Sequence, residues 1–288
     1  MSEMSATAKT VGVIGLGLIG GSMALDLRRR GFASLTLGVE QDPVAAEAAR
    51  TIGLVDEVVS YEDCVKRSDI IVVAVPVGTA VQMVPDILDK ISGAQIVIDV
   101  CSTKEQVCRA VQNHPKRGRF VSTHPMAGTE YSGPWAAQPG LFDGRACIVC
   151  DAEKSDQDAL NTIEALYAAL NMRLLQMPSA QHDMHAAYVS HISHVTSFAL
   201  ALTVLDKEKD EKHIFDLASG GFSSTVRLAK SNPDMWVPIL TQNRDNVLQV
   251  MDTYIEKMQA FREAVAAGDE DRIRELIEEA NRIKRILR

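Results

Sequence analysis

Thr10-Val-Gly-Val-Ile14 runs straight into Gly15-Leu-Gly17-Leu-Ile-Gly20, and Gly21-Ser22 then leads a segment rich in Leu and Ala. A β-branched run, a glycine-punctuated turn and a helix in immediate succession leave few folds open. The pattern is the first unit of a dinucleotide-binding βαβ arrangement. In such a unit Gly15 permits the tight turn, Gly17 lets the backbone approach a pyrophosphate, and Gly20 allows close helix–strand packing. Leu16, Leu18 and Ile19 belong to the same turn, and the helix start offers free N–H groups to phosphate oxygens. The next apolar run, Leu35–Val39, ends at Glu40, 20 residues beyond Gly20. A carboxylate there accepts from both ribose hydroxyls and repels a 2′-phosphate, which favours NAD over NADP. Glu40 also reads as a solvated acid, because Asp42 follows and is placed to cap the next helix.

The same alternation continues to about Met177, with short runs at Ile70–Val75, Gln95–Val100, Phe120–Thr123, Ala146–Cys150 and Met172–Met177. Helical spacing fills the gaps over Val44–Thr51, Thr79–Lys90, Thr103–Asn113 and Gln157–Leu170. An α/β fold follows: a Rossmann-type, doubly wound, mostly parallel sheet with helices on both faces. Ile70–Val75 is apolar throughout, as a central strand covered on both sides requires, and Pro76 beyond it joins the expected cofactor set. After Pro178 strand signals stop, and the chain reads as helices interrupted at Gly220-Gly221-Phe222, Asn232-Pro233 and Gly268. Two domains are expected, residues 1–177 for the dinucleotide and residues 178–288 as a helical dimerisation domain. In the last helix Asp269 stands at the cap, and Ile273, Leu276, Ile277, Ala280 and Ile283 form one stripe. A helical domain of about 110 residues makes a thin core, so a second copy of the chain is expected to cover part of it.

Of the 288 residues 46% are hydrophobic and 24% charged, with a net charge of -8. That balance disfavours nucleic acid as a partner, and no uninterrupted apolar stretch reaches the 18 or so residues of a membrane span. Cys64, Cys101, Cys108, Cys147 and Cys150 are an odd, scattered set that fits a reducing, cytoplasmic setting. Met1–Lys9 lacks the apolar core of a signal peptide.

Phe120-Val-Ser-Thr-His124 sets a histidine where an apolar strand ends, on the edge at which open α/β sheets bind ligands. Its ordinary pKa suits general-base work, and Ser102, in Asp99-Val-Cys-Ser102-Thr-Lys104, is placed to hold one imidazole nitrogen. A strand-end histidine by itself more often holds a structural place. His182, Asp183, His185, His191 and His194 form the densest ionisable cluster and invite a metal reading. At about 100° per residue, with His182 at 0°, the other histidines point to about 300°, 180° and 120° and do not converge on one ion.

Taken together, Gly15-Leu-Gly-Leu-Ile-Gly-Gly-Ser22, His124-Pro-Met-Ala-Gly-Thr-Glu130, Ser190-His-Ile-Ser-His194, Gly220-Gly-Phe with Arg227, and Pro233-Asp-Met-Trp236 resemble the prephenate/arogenate dehydrogenase family of tyrosine biosynthesis, in the same order along nearly the whole chain. The resemblance implies NAD-dependent oxidative decarboxylation. His124 matches the family's catalytic histidine, Ser102 its partner and Arg227 the arginine for the substrate carboxylate. His194, His182, Gly220 and Trp236 match positions at the substrate cleft, though Trp236 also suits a buried anchor. The motifs do not separate prephenate from arogenate. The nearest enzymatic rival is a β-hydroxyacid dehydrogenase, whose helical-domain lysine motif has no counterpart after Pro178. A non-catalytic NAD-sensing protein is the rival from another class.

Overall fold

The computed structural model describes residues 9–211 and 213–286, so most of Met1–Lys9 lies outside it. The first strand, β1 (Lys9–Ile14), passes through the glycine turn into α1 (Leu18–Arg29), followed by β2 (Ala33–Val39) and α2 (Pro43–Ile52). Asp42 caps α2 by accepting from the Val44 N–H at 2.9 Å. A two-residue strand β3 (Glu57–Val58) and the short helix α3 (Tyr61–Arg67), capped by Ser60, lead to β4 (Ile70–Val73). Then come α4 (Val77–Lys90), β5 (Ile96–Asp99), α5 (Glu105–Val111), β6 (Phe120–Pro125), β7 (Ala146–Cys150), α6 (Gln157–Ala169) and β8 (Arg173–Met177).

These strands form one sheet in the order β3-β2-β1-β4-β5-β6-β7-β8. All pairs are parallel except β6 with β7. The expected α/β class and mostly parallel sheet are therefore what the chain adopts. The order reverses at β1/β4, so the carboxyl ends of β1, β4, β5 and β6 lie on the edge where a doubly wound sheet takes its ligands. Ile70, Ile71, Val72 and Val73 are fully buried, as a strand packed on both faces demands.

Beyond β8 one continuous helix runs from Ser179 to Asp210. It comprises α7 (Ser179–Ala186), a π-turn at Ala187–His191 and α8 (Ile192–Asp210). The π-turn breaks the uniform 100° step assumed for the histidine cluster. This helix is long and apolar enough, by length and composition, to cross a membrane. Gly220-Gly221-Phe222, expected as a turn, instead opens α9 (Gly220–Thr225), and α10 (Pro233–Gln242) follows. Trp236 and Ile239 of α10 pack in the core beside Ile14, Val73, Val77 and Ala80. By packing, one compact unit extends to Asn243, and Arg244–Arg288 form a second. In that second unit α11 (Arg244–Ala267) precedes α12 (Glu270–Ala280), which Asp269 caps as expected. Of the α12 stripe only Leu276 is buried, and Ile277 is about half exposed.

Candidate active site

The glycine turn has the form that a pyrophosphate needs. Gly15 holds φ +96°, and a Cβ there would lie 2.4 Å from the Ala74 carbonyl oxygen. A Cβ on Gly20 would fall 2.0 Å from the Gly15 carbonyl oxygen, whereas one on Gly17 would meet nothing within 4 Å. So Gly15 and Gly20 are demanded by packing, and Gly17 keeps open space before the α1 amino terminus. No side chain caps that terminus and no acid stands in its first turn, which leaves its N–H groups and positive dipole end for an anion. The Glu40 carboxylate accepts from the Leu16 N–H at 3.0 Å through one oxygen and from the Gln41 and Asp42 N–H groups through the other. It is neither a freely solvated acid nor the cap of α2. It stands beside the turn that carries Leu16, Leu18 and Ile19. Pro76 is the N-cap residue of α4, just past β4 on the same edge.

At the end of β6, His124 is partly buried opposite Ile148 of β7. Its Nδ1 lies 2.8 Å from Nε2 of His182, and His182 Nδ1 lies 2.8 Å from Oδ1 of Asp183. The expectation for Ser102 changes accordingly: His182 holds His124 Nδ1, and no hydrogen bond joins Ser102 to the imidazole. Asp183 also accepts the Lys104 N–H at 2.7 Å and the Glu105 N–H at 2.9 Å, where α5 begins. Lys104, fully buried, pairs with the fully buried Asp99 and donates from Nζ to the Thr123 carbonyl at 2.6 Å, one residue before His124. Burial opposes the Lys104 charge, but Asp99 more than restores it and holds the ammonium above its ordinary range. Burial, with the neighbouring His182, Lys104 and His191, drives the His124 pKa well below its ordinary value near 6.5. At neutral pH it is an unprotonated base.

A second group is drawn from α8, from α9 and the turn after it, and from α10. The rings of His194 and Trp236 stack with centroids 3.5 Å apart, and His194 Nδ1 lies 3.0 Å from the Ser190 carbonyl, so it donates there and leaves Nε2 as an acceptor. Trp236 is buried, yet its Nε1 has no acceptor among the described residues. Arg227 is about half exposed and donates to Glu130 at 2.8 Å, with its charge felt at His194. Glu130's own backbone N–H and Arg227 keep that carboxyl below its usual range. Gly220 opens α9, and a Cβ there would meet no neighbour. His191 is buried deeper, its Nδ1 3.1 Å from the Asn243 amide nitrogen. Among the described residues no three His, Cys, Asp or Glu side chains are grouped to hold a metal.

Residues 23–176 match the family described as prephenate dehydrogenase, nucleotide-binding domain, and residues 178–279 match prephenate dehydrogenase, dimerization domain. The chain belongs to the prephenate dehydrogenase family. Among its relatives is a prephenate dehydrogenase of Bacillus subtilis, 30% identical over 94% of this chain and 74% of that protein. A cyclohexadienyl dehydrogenase of Zymomonas mobilis is 28% identical over 97% of this chain and 96% of its own. The crystal structure of prephenate dehydrogenase from A. aeolicus in complex with hydroxyphenyl propionate and NAD+ superposes with a TM-score of 0.86 at 28% identity, covering 98% of this chain and 99% of that one. In this prephenate dehydrogenase family member spacing alone gives Glu130 and Lys104 no role at the site, and it offers Asp183 only as one member of the ionisable cluster around His182. Glu130 stood in plain view inside His124-Pro-Met-Ala-Gly-Thr-Glu130, but its partner lies 97 residues on.

The buried imidazoles carry a consequence for stability. Burial lowers the His191 pKa to about 4, against 6.5 for an ordinary histidine, and a proton on its Nδ1 would face the Asn243 amide. The unfolded chain therefore binds protons first as pH falls. The stability held by these neutral imidazoles is complete above pH ~6.5 and is lost as pH drops toward 4, with His191 alone contributing on the order of 3 kcal/mol. Urea unfolding at pH 7 and pH 4.5 checks this, and His191→Asn should flatten the pH dependence. An unchanged slope in that variant contradicts the assignment.

Proposed function

We propose that the chain is an NAD-dependent prephenate dehydrogenase, with His124 as general base and Arg227 as the group that reads a substrate carboxylate. The observation that carries this reading is the pairing of His124 Nδ1 with His182 at the carboxyl edge of β6, on the same edge as the open glycine turn. Gly15, Gly17, Gly20 and the α1 start would hold the pyrophosphate, and Glu40 the adenosine ribose. Strands β4 to β6 form the nicotinamide half of such a sheet, which is where His124 stands. Bound NAD supplies the two-electron acceptor.

His124 Nε2 takes the proton of the ring hydroxyl as that carbon gives up its hydride to the acceptor and becomes a carbonyl; the bond to the ring carboxylate then breaks, carbon dioxide leaves, and the electron pair passes through the ring to the oxygen, which regains a proton as the phenol of an aromatic product. Because aromatisation is strongly downhill, the protein's task is placement of the reacting carbon and removal of one proton. Arg227 offers a planar fork to a carboxylate. His194, stacked on Trp236, presents an acceptor nitrogen beside it. Ser102 is retained as a candidate partner for the hydroxyl or for Nε2. A homodimer through the helical region accounts for the exposed apolar residues of α8, Leu202 and Leu205, and five buried unpaired thiols suit a cytoplasmic setting.

Arogenate is the second reading. Glu130 beside Arg227 gives an alanyl ammonium a carboxylate partner that a pyruvyl group does not need. Steady-state NADH formation with prephenate, arogenate and a 3-hydroxy acid decides among these. Turnover of a cyclohexadiene and not of the hydroxy acid is expected, and the reverse would overturn the proposal. Arg227→Lys should raise KM about 10-fold to 100-fold with little change in kcat, as expected for roughly 1.5–3 kcal/mol of charge-assisted binding. An unaltered KM would remove Arg227 from the site.

A further inference from the structure

We infer that Asp183 is a positioning residue for His124, acting through His182 to fix the tautomer that leaves Nε2 of His124 bare. The inference rests on His124 as the base and goes beyond it by naming what holds the base ready. A carboxylate can only accept, so at 2.8 Å from Asp183 Oδ1 the Nδ1 of His182 carries the proton. A singly protonated His182 then has a lone pair on Nε2, and His124 Nδ1, 2.8 Å away, donates to it. The proton of His124 is thereby placed on Nδ1, and its Nε2 is the acceptor.

Asp183 is itself pinned. It is almost fully buried, and the N–H groups of Lys104 and Glu105 fix both its oxygens, so the carboxylate cannot turn away from His182. The carbonyl of the same residue accepts from the Asn243 amide at 2.7 Å. His182 is equally buried, and its ring meets that of His124 edge-on with centroids 5.0 Å apart. Asp183 touches no reacting atom in this scheme. Its effect is on which His124 nitrogen is free, which is the logic of an orienting acid behind a catalytic histidine.

A double-mutant cycle separates this role from simple support of the α5 start. In the otherwise native enzyme, Asp183→Asn should lower kcat by about 10²-fold with KM nearly unchanged. His182→Gln keeps an acceptor for His124 Nδ1 but needs no acid behind it. In that background Asp183→Asn should cost no more than about 2-fold. An equal loss in both backgrounds makes Asp183 merely structural and overturns the inference. A second measurement needs no Asp183 variant: side-chain ¹⁵N spectra of the native protein, with His124 assigned by its loss in His124→Asn, should show Nδ1 protonated and Nε2 bare. The opposite tautomer overturns the inference. Because native turnover with a cyclohexadiene is the reference in the cycle, failure there would strike the proposed function, whereas failure of the cycle alone would strike only Asp183.

Discussion

Replacing His124 with Asn lowers kcat by about 10²–10⁴-fold, the usual worth of a positioned general base. Folding and NAD affinity remain those of the native enzyme. The expectation follows from where His124 stands. It closes β6 at the ligand edge, is partly buried, and makes its side-chain hydrogen bond to His182, so its removal opens no large cavity. The glycine turn and Glu40 follow β1 and β2, and β4 and β5 stand between those strands and β6, which carries His124. Since burial and nearby charges keep the His124 pKa well below 6.5, the acid limb of kcat/KM should also fall below the range of a free imidazole. Steady-state kinetics, thermal melting and NADH titration of the variant check all three statements. A loss of activity accompanied by equal loss of NAD binding or of folding contradicts them.

The largest stability effect is expected at Lys104. Its ammonium and Asp99 are fully buried in one pair, and Asp99 also accepts from Ser122 Oγ at 3.0 Å and from the Cys101 N–H at 3.2 Å. Lys104→Met leaves that carboxylate without a countercharge and should cost about 3–5 kcal/mol. The pair is not itself a large net source of stability, because desolvating two charges offsets most of their attraction. Combining Lys104→Met with Asp99→Asn should therefore return much of the loss. Lys104 Nζ also holds the Thr123 carbonyl beside His124, so the single variant should lose activity as well. Urea unfolding of both variants tests this. A Lys104→Met protein within 1 kcal/mol of native, or a double variant worse than the single, contradicts it.

Most of the sheet was legible because its strands are short, largely apolar and β-branched runs that alternate with helical spacing, with Ile70–Val75 the plainest. β3 and α3 were not. Glu57–Val58 is too short to show a period, and Tyr61–Arg67 buries only Cys64 and Val65, with Tyr61 packed at the edge of the core. Nor does sequence reveal that β7 runs antiparallel to β6, since the loop between them fixes direction and Ala146–Cys150 reads the same both ways. At the site, His124 was legible from its strand end and from the surrounding motif. Its partner was not. Ser102 is the nearer residue in sequence, but His182 arrives from 58 residues away on a helix with a π-turn that a uniform wheel does not anticipate. The roles of Lys104 and Asp183 escaped for a related reason: a buried ion pair and a pinned carboxylate are defined by what surrounds them, not by their spacing.

The most direct test of the account is a crystal structure of the ternary complex with NAD and a non-reactive hydroxylated ring analogue. The account predicts His124 Nε2 within about 2.6–3.2 Å of the analogue's hydroxyl oxygen, with Nδ1 still on His182 and a carboxylate on Arg227. An imidazole turned away from the hydroxyl, or a ligand bound on another edge of the sheet, would contradict it.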